Sequence, residues 1–249
     1  MAVVLKSSQE IEKMRRAGQV VREVLELVRS RVKPGATTFD LEKAAQERLN
    51  ELGVKAAFKG YHGFPCVLCT SVNSEVVHGI PSPKRVLKQG DIVSVDFGVV
   101  IDGYYGDAAI TVPVGKVTPD AERLLKVTEA SLQAGIAVVR PGATLGDVGA
   151  AVQKVVEREG FSVVRDFVGH GIGAQMHEEP QVPNFGEAGR GMKLRAGMVI
   201  AIEPMVNAGK PDVVVLDDGW TAVAKDGSMS AHFEHTVAVT PTGARILTE

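Results

Sequence analysis

The chain has 249 residues, 45% of them hydrophobic, and its 28 basic and 30 acidic side chains leave a net charge of −2. That length supports one large core or two fused halves without disulfides, and the intermixed charge offers no basic footprint, which argues against nucleic acid or anionic membrane as the main ligand. No apolar run approaches the roughly 20 residues of a bilayer span, and the N-terminus lacks the apolar core of a secretory signal, so a cytoplasmic protein is expected.

Along the chain, Ser7-x-x-Glu10 forms a capping box ahead of a helical period in Ile11, Met14, Val21, Val24, Leu25 and Val28, which stops near Pro34-Gly35. Thr38 can cap a second helix, to about Gly53. Cys66 and Cys69 then form a single C-x-x-C. It could be a redox pair or half a zinc site, but no second pair completes a tetrahedral site, and free thiols are expected. β-Branched runs at 92–100 and 104–112 read as strands joined at Asp102-Gly103. Thr118-Pro119, an N-cap with proline behind it, starts a third helix carried by Leu124, Leu125, Val127 and Leu132 toward Pro141-Gly142. Thr144 opens a fourth, ending near Gly160. Further strands are expected at 161–168, 198–202, 213–216 and 236–239. The pattern predicts an α+β fold, a mainly antiparallel sheet with helices over one face. No linker or low-complexity tract divides it, so residues 1–249 are expected to form one domain.

That domain carries an internal repeat, over about 10–115 and 117–245. An offset of 107 residues (203 − 96) takes Asp96 onto Glu203, Pro34-Gly35-Ala36-Thr37 onto Pro141-Gly142-Ala143-Thr144, Gly53 onto Gly160 and Gly90 onto Gly197. Two halves packed about a pseudo-twofold axis would bring Asp96 and Glu203 together. The Asp102-Gly103 turn favours a two-residue hairpin pairing Ile101 with Tyr104, which sets Asp96 opposite Ala109 and Asp107 opposite Gly98. The two aspartates become diagonal neighbours on a face otherwise lined by Ser94, Gly98, Ala109 and Thr111, while Val95, Phe97, Val99, Ile101 and Ile110 form the core face. Glu234, in His232-Phe233-Glu234-His235, is matched to Asp107 across a 20-residue insertion in the second half. Four carboxylates so gathered repel one another and call for divalent cations.

Two histidines frame this cluster, His78 before Gly79-Ile80-Pro81 and His177 before Glu178-Glu179-Pro180; their separation of 99 residues makes them a second repeat pair. His170 lies between glycines that permit close backbone approach. The same Gly169-x-Gly171-x-x-Ala174 segment loosely matches a dinucleotide fingerprint, but Pro180 and Pro183 deny it the helix which that motif requires.

The order Asp96, Asp107, His170, Glu203, Glu234, with His78 and His177 between, resembles the pita-bread metallopeptidases. Lys6-Ser7, the run Glu10 to Arg15, Gly60-Tyr61-His62-Gly63-Phe64-Pro65, Val76-Val77-His78-Gly79-Ile80-Pro81 and Gly169-His170-Gly171-Ile172-Gly173 are similar to bacterial type I methionine aminopeptidases over essentially the whole chain. The resemblance implies a pita-bread fold and two divalent ions, with Asp107 and Glu234 bridging them, Asp96 on one and His170 and Glu203 on the other. An oxygen-rich set of this kind suits Co, Mn or Fe at least as well as Zn. It further implies that His177 stabilises the oxyanion, that His78 contacts the scissile amide nitrogen and that Glu203 shuttles a proton. Phe58, Tyr61, Phe64, Cys69, Met176 and Trp220 would receive the methionine side chain, and a monovalent cation would sit near Asn73 and Ser230. The substrate would be the N-terminal segment of new proteins, met at the ribosome by a monomeric enzyme. Phe58, Cys66, Met176 and His232 depart from the commoner residues of the family. The two rival readings are an aminopeptidase cutting before proline, against which the absence of an N-terminal domain counts, and a binding module that has lost its ligands, against which all five ligand residues count.

Overall fold

The computed structural model describes residues 3–249. Each expected helix starts at a side chain that satisfies an otherwise unpaired backbone N–H. α1 (Ser8–Arg31) has the Ser7/Glu10 capping box, α2 (Thr38–Leu52) a Thr37/Asp40 box, α3 (Pro119–Ala137) the Thr118 cap with proline next to it, and α4 (Leu145–Arg158) a Thr144/Asp147 box. The cap of α2 is therefore Thr37 and not Thr38. Thr37 Oγ1 accepts from the Asp40 N–H at 3.1 Å and Asp40 accepts from the Thr37 N–H in return, whereas Thr38 Oγ1 donates to the Ser82 carbonyl.

The strands of the first half are β1 (Lys55–Ala56), β2 (Leu68–Val72), β3 (Glu75–Val77), β4 (Ile92–Ile101) and β5 (Tyr104–Pro113). In the second half come β6 (Ser162–Val163), β7 (Gly169–Gly171), β8 (Glu178–Val182), β9 (Val199–Ile202) and β10 (Met205–Asn207). They are followed by β11 (Val213–Val215), β12 (Ala222–Ala224), β13 (Ser230–His232), β14 (Glu234–Thr240) and β15 (Gly243–Ile246). One antiparallel sheet runs through both halves in the order β1-β4-β5-β14-β9-β7-β8, with β2 also on β4 and β15 on β14; β13-β10-β6 and β11-β12-β3 make two small sheets. The strand expected over 161–168 is only β6, because its partner β10 is itself three residues long and the ladder ends once Val164 N–H has reached the Met205 carbonyl.

The β4–β5 hairpin has the anticipated register. Asp102 and Gly103 take φ of 50° and 78°, both residues of the turn being left-handed, and the ladder pairs Asp96 with Ala109 and Gly98 with Asp107. The opposite face is core: Val95, Phe97 and Val99 pack with Val21 and Val24 of α1 and Leu41 and Ala45 of α2. α1 crosses so close to β5 that a Cβ on Gly106 would meet the backbone of Ala17 and Gly18, a contact that only glycine permits. In the second half, Leu124 and Leu132 of α3 and Val148 and Val152 of α4 cover Ile200, Ile202 and Val237 in the same manner.

The repeat extends to individual hydrogen bonds. Thr37 bridges to Val86 and Thr144 to Lys193; Gly35 N–H reaches the Leu87 carbonyl at 2.8 Å and Gly142 N–H the Leu194 carbonyl at 2.9 Å; Gly90 and Gly197 share φ of 95° and 92°. The register corrects one correspondence. Ile202 pairs with His235 and Ala201 with Thr236, as Val95 pairs with Ile110 and Ser94 with Thr111, so the second strands are related by an offset of 125 (235 − 110). Glu234 is thus the counterpart of Ala109, Asp107 that of His232, and the insertion is 18 residues (125 − 107) and not 20. Glu234 and Ala109 also pair with each other between β14 and β5, so the pseudo-axis crosses the sheet there.

Candidate metal centre and substrate cavity

A cavity of about 380 Å³ opens at this axis. On it converge the five carboxylate and imidazole groups singled out from the sequence: Asp96 and Asp107 from the polar face of the β4–β5 hairpin, Glu203 just past β9, Glu234 at the start of β14 and His170 in the middle of β7. Phe58, Tyr61, Phe64, Cys69, Met176 and Trp220 form apolar wall, and His78 and His177 reach the same space.

His170 shows how the backbone prepares a ligand. Its Nδ1 lies 2.9 Å from the Gly171 carbonyl, which can only accept, so Nδ1 carries the proton and the Nε2 lone pair is bare. Nε2 points at the carboxylates, 3.5 Å from Glu203 Oε1 and 3.9 Å from Asp107 Oδ2. Burial holds its pKa down at about 3, so the ring is neutral. Ligand atoms of Asp107, His170 and Glu234 all lie within 4.8 Å of one another, the spacing of groups that share one ion.

The carboxylates themselves are in an untenable state as bare anions. Burial first, then mutual repulsion, raises Asp107 and Glu234 well above the usual carboxylate range; burial lifts Asp96 to about 7 and Glu203 to about 8. Among the described residues no Lys or Arg pairs with any of the four, the nearest basic groups being His170 and His232, both kept neutral by burial. Asp96 Oδ1, Asp107 Oδ1 and Glu234 Oε1 are buried with no hydrogen-bond partner. Orphaned carboxylate oxygens beside an unprotonated imidazole fit divalent cations, which would satisfy each of them at once.

Around this floor, His177 Nδ1 lies 2.8 Å from the Tyr61 hydroxyl and its ring centroid 4.2 Å from that of His170. Burial lowers the pKa of His177, and that of His78 to about 4, so both enter as neutral rings. His78 packs edge-on against Phe167, and Trp220 against Phe64 at 5.2 Å. Both cysteines are free thiols, their pKa raised by burial, to about 11 for Cys66 and well above the ordinary range for Cys69. Asn73 and Ser230 are neighbours: the Ser230 N–H donates to the Asn73 carbonyl at 2.8 Å, and the Asn73 side chain is held by Asp91 and Ile92.

Three contributors escaped the sequence. His62 lines the cavity beside Tyr61; the Gly60–Pro65 motif contains it but assigns it no role. His232 stands behind Glu203 with Nε2 at 3.6 Å from Oε2, visible only once the register makes it the partner of Asp107 in the repeat. Buried Lys6 pairs with Glu178, next to His177, at 2.5 Å and across 172 residues of sequence, a distance no spacing rule spans.

Residues 12–241 match the profile of metallopeptidase family M24. The chain is 52% identical to methionine aminopeptidase A of Synechocystis over 246 residues, covering 99% of this chain and 97% of the relative. The crystal structure of methionine aminopeptidase from Thermotoga maritima superposes with a TM-score of 0.98 at 50% identity, each chain covered completely. A prolidase from Pyrococcus horikoshii shares the fold, at a TM-score of 0.77 and 21% identity, with 63% of that chain covered. The curled antiparallel sheet with its paired helices is thus the pita-bread fold, and the chain belongs to metallopeptidase family M24.

Proposed function

We propose that the chain is a dinuclear metal-dependent aminopeptidase that removes the N-terminal methionine of newly made polypeptides and prefers a small second residue. The observation that carries the reading is the convergence of four carboxylates without a Lys or Arg partner, three of them with an orphaned buried oxygen, and a bare imidazole nitrogen on the floor of a cavity walled by Phe58, Phe64, Met176 and Trp220. In this reading residues 1–249 work as one catalytic domain of two related halves.

Asp107 and Glu234, which share the reach of His170, are assigned to both ions, Asp96 to one, and His170 and Glu203 to the other; Co, Mn, Fe and Zn all suit such a set. When bound, the pair would activate water, polarise the scissile carbonyl and receive the free α-amine, which accounts for attack at the chain end only. The residues supply the rest. His177, hydrogen-bonded to Tyr61 and kept neutral by burial, is assigned a hydrogen bond to the developing oxyanion, and His78 the contact to the scissile amide nitrogen. Glu203, at the edge of the centre beside His170 and His232, is assigned the transfer of a proton to the leaving amine. A polarizable wall without a fixed charge favours a thioether over an ammonium or carboxylate side chain.

A monovalent cation near Asn73 and Ser230, action on nascent chains at the ribosome, a monomeric state and a cytoplasmic location complete the proposal. No helix among the described residues is long and apolar enough to cross a membrane. The decisive experiment is hydrolysis of Met-Ala-Ser by metal-depleted protein with and without added Co, Mn or Fe, beside an Xaa-Pro peptide. Metal-dependent release of methionine with no Xaa-Pro cleavage is expected. The reverse preference would assign a prolidase-like exopeptidase, and binding without any turnover a module that has lost its chemistry.

A further inference from the structure

The 18-residue insertion that breaks the repeat builds the β11–β12 hairpin, and β11 leaves its outer edge open. Val214, Val215 and Leu216 are 47%, 50% and 44% exposed, a large share of the exposed bulky apolar side chains among the described residues. Edge strands are usually blunted by charge or proline, yet here Pro211 and Asp212 on one side and Asp217 and Asp218 on the other flank an uncharged run. An exposed apolar edge that the fold does not cover is a binding feature.

The hydrogen-bond parity of β11 defines what it can bind. Asp212 accepts from the Lys225 N–H and Leu216 donates to the Thr221 carbonyl, so alternate residues 212, 214 and 216 face β12. Val213 and Val215 consequently turn their N–H and C=O groups to the open edge. The strand's direction relates it to the cavity. β11 is antiparallel to β12 and β12 to β3, so β11 runs parallel to β3, whose last residue, Val77, precedes His78. In the register Val215, Ala222 and Val77 stand in one row, and Trp220, two residues before Ala222, lines the cavity. The Val215 end of the open edge is therefore the cavity end.

A polypeptide whose first residue occupies the cavity leaves it in the N-to-C direction, which is antiparallel to β11. We propose that β11 is a docking edge for the substrate polypeptide itself: a β-prone, uncharged segment downstream of the cleaved bond adds as an antiparallel strand to Val213 and Val215. Strands lie roughly 4.8 Å apart and rise roughly 3.3 Å per residue, so a strand added outside β11, about three spacings from β3, would engage the chain from about the fifth residue onward. Backbone pairing supplies affinity indifferent to sequence, as an enzyme acting on many polypeptides requires, while the cavity sets the choice of first residue. The inference rests on the aminopeptidase reading for the placement of the substrate's N-terminus.

The test compares Met-Ala-Ser with a twelve-residue peptide that continues it with alternating Thr and Val, and with a control whose tail carries proline at alternate positions and cannot donate. Wild-type protein with added Mn should show a KM roughly five- to thirtyfold lower for the Thr/Val peptide than for the other two, with similar kcat, as expected for two to four net backbone hydrogen bonds. Val215→Pro removes an outward N–H that the β11–β12 ladder does not use, a change an edge strand tolerates. It should abolish the tail advantage and leave Met-Ala-Ser hydrolysis unchanged, and Val214→Asp/Val215→Asp, which keeps the backbone, should weaken it. Fluorescence anisotropy of the labelled Thr/Val peptide reads the docking without turnover, so binding lost in Val215→Pro supports the edge even if methionine release fails. Equal KM for all three peptides, or an advantage that survives in both variants, overturns the proposal. So does a wild-type dimer in sedimentation that Val215→Pro converts to monomer without any tail effect, since the edge would then serve a second copy of this chain.

Discussion

Stripping the metals and raising the pH should unfold this protein by a route that loaded protein does not share. In an unfolded chain Asp96 and Glu203 titrate near 3.8 and 4.5, whereas burial in the folded chain raises them to about 7 and about 8. A raised carboxyl pKa favours the folded state while the group is protonated in it, and that contribution is lost as pH climbs through the folded value. Between pH 5 and pH 7 the unfolded chain has released both protons and the folded chain still holds them. Each group then removes about 1.4 kcal/mol per pH unit, so the pair costs about 5 kcal/mol over the interval. For a chain of this size that is a fall of roughly 10–20 °C in Tm. Asp107 and Glu234, shifted in the same direction, deepen the fall. Divalent ions replace the protons in the loaded protein, whose Tm should be flat over the same range. The assay is thermal unfolding of chelator-treated and Mn-loaded protein at half-unit pH steps. Chelated protein as stable at pH 8 as at pH 5 would refute the claim that these carboxylates are mutually uncompensated.

The other perturbations separate the parts of the site. Asp107→Asn and Glu234→Gln should each lose at least one metal equivalent and hydrolysis together, yet raise the stability of metal-free protein at pH 8 by removing a buried charge; two tightly held metals with near-normal turnover would sink the bridging assignment. His177→Ala should keep both metals by elemental analysis while kcat falls by about 10²- to 10³-fold, and Tyr61→Phe should reproduce a smaller part of that loss by freeing the ring. Lys6→Met leaves the half-buried Glu178 without its cation and should cost about 1–3 kcal/mol in chemical denaturation, where an unchanged midpoint would show the pair to be dispensable. Lys-Ala-Ser and Met-Arg-Ser should be cleaved far more slowly than Met-Ala-Ser, and Leu-Ala-Ser, differing by about 1–3 kcal/mol in a pocket of this kind, should fall between; equal kcat/KM for Lys-Ala-Ser and Met-Ala-Ser would remove the methionine assignment and leave the metal centre standing.

What the sequence disclosed follows from the range of the forces involved. The capping residues Ser7, Thr118 and Thr144 and the Asp102-Gly103 turn act within four residues, so their structures could be read directly, including the register that makes Asp96 and Asp107 diagonal neighbours on one face. The choice between Thr37 and Thr38 could not be settled by residue type, since both can cap. It was decided by the reply of Asp40 and by the Ser82 carbonyl 44 residues away. Strand 161–168 failed for a related reason: β-propensity marks residues able to extend, but the length of a strand is set by its partner, and β10 offers three residues. His62, His232 and the Lys6–Glu178 pair became visible only in three dimensions because no local pattern connects them to the cavity.

The mismatch between the repeat and the site explains how a duplicated scaffold supports asymmetric chemistry. A strict copy would place the same group on each side of the axis, and Asp96 and Glu203 keep that relation. The second strands do not: Asp107 faces the axis where its counterpart is His232, and Glu234 where its counterpart is Ala109. Ala109 is the consequential member, because it pairs with Glu234 across the axis itself. A second carboxylate there would stand directly opposite Glu234 in the ladder, adding a fifth buried negative charge at the point of closest approach, where like charges destabilise a strand pair. With alanine at 109, one glutamate on the axis can serve both halves. With Asp107 from only one half beside that glutamate, the two sides of the cavity differ: one is bounded by Asp96, the other by Glu203 with His170 and His232. The asymmetry that sets the His170 imidazole beside Glu203 and Asp107 is therefore written in the residues by which the two copies differ.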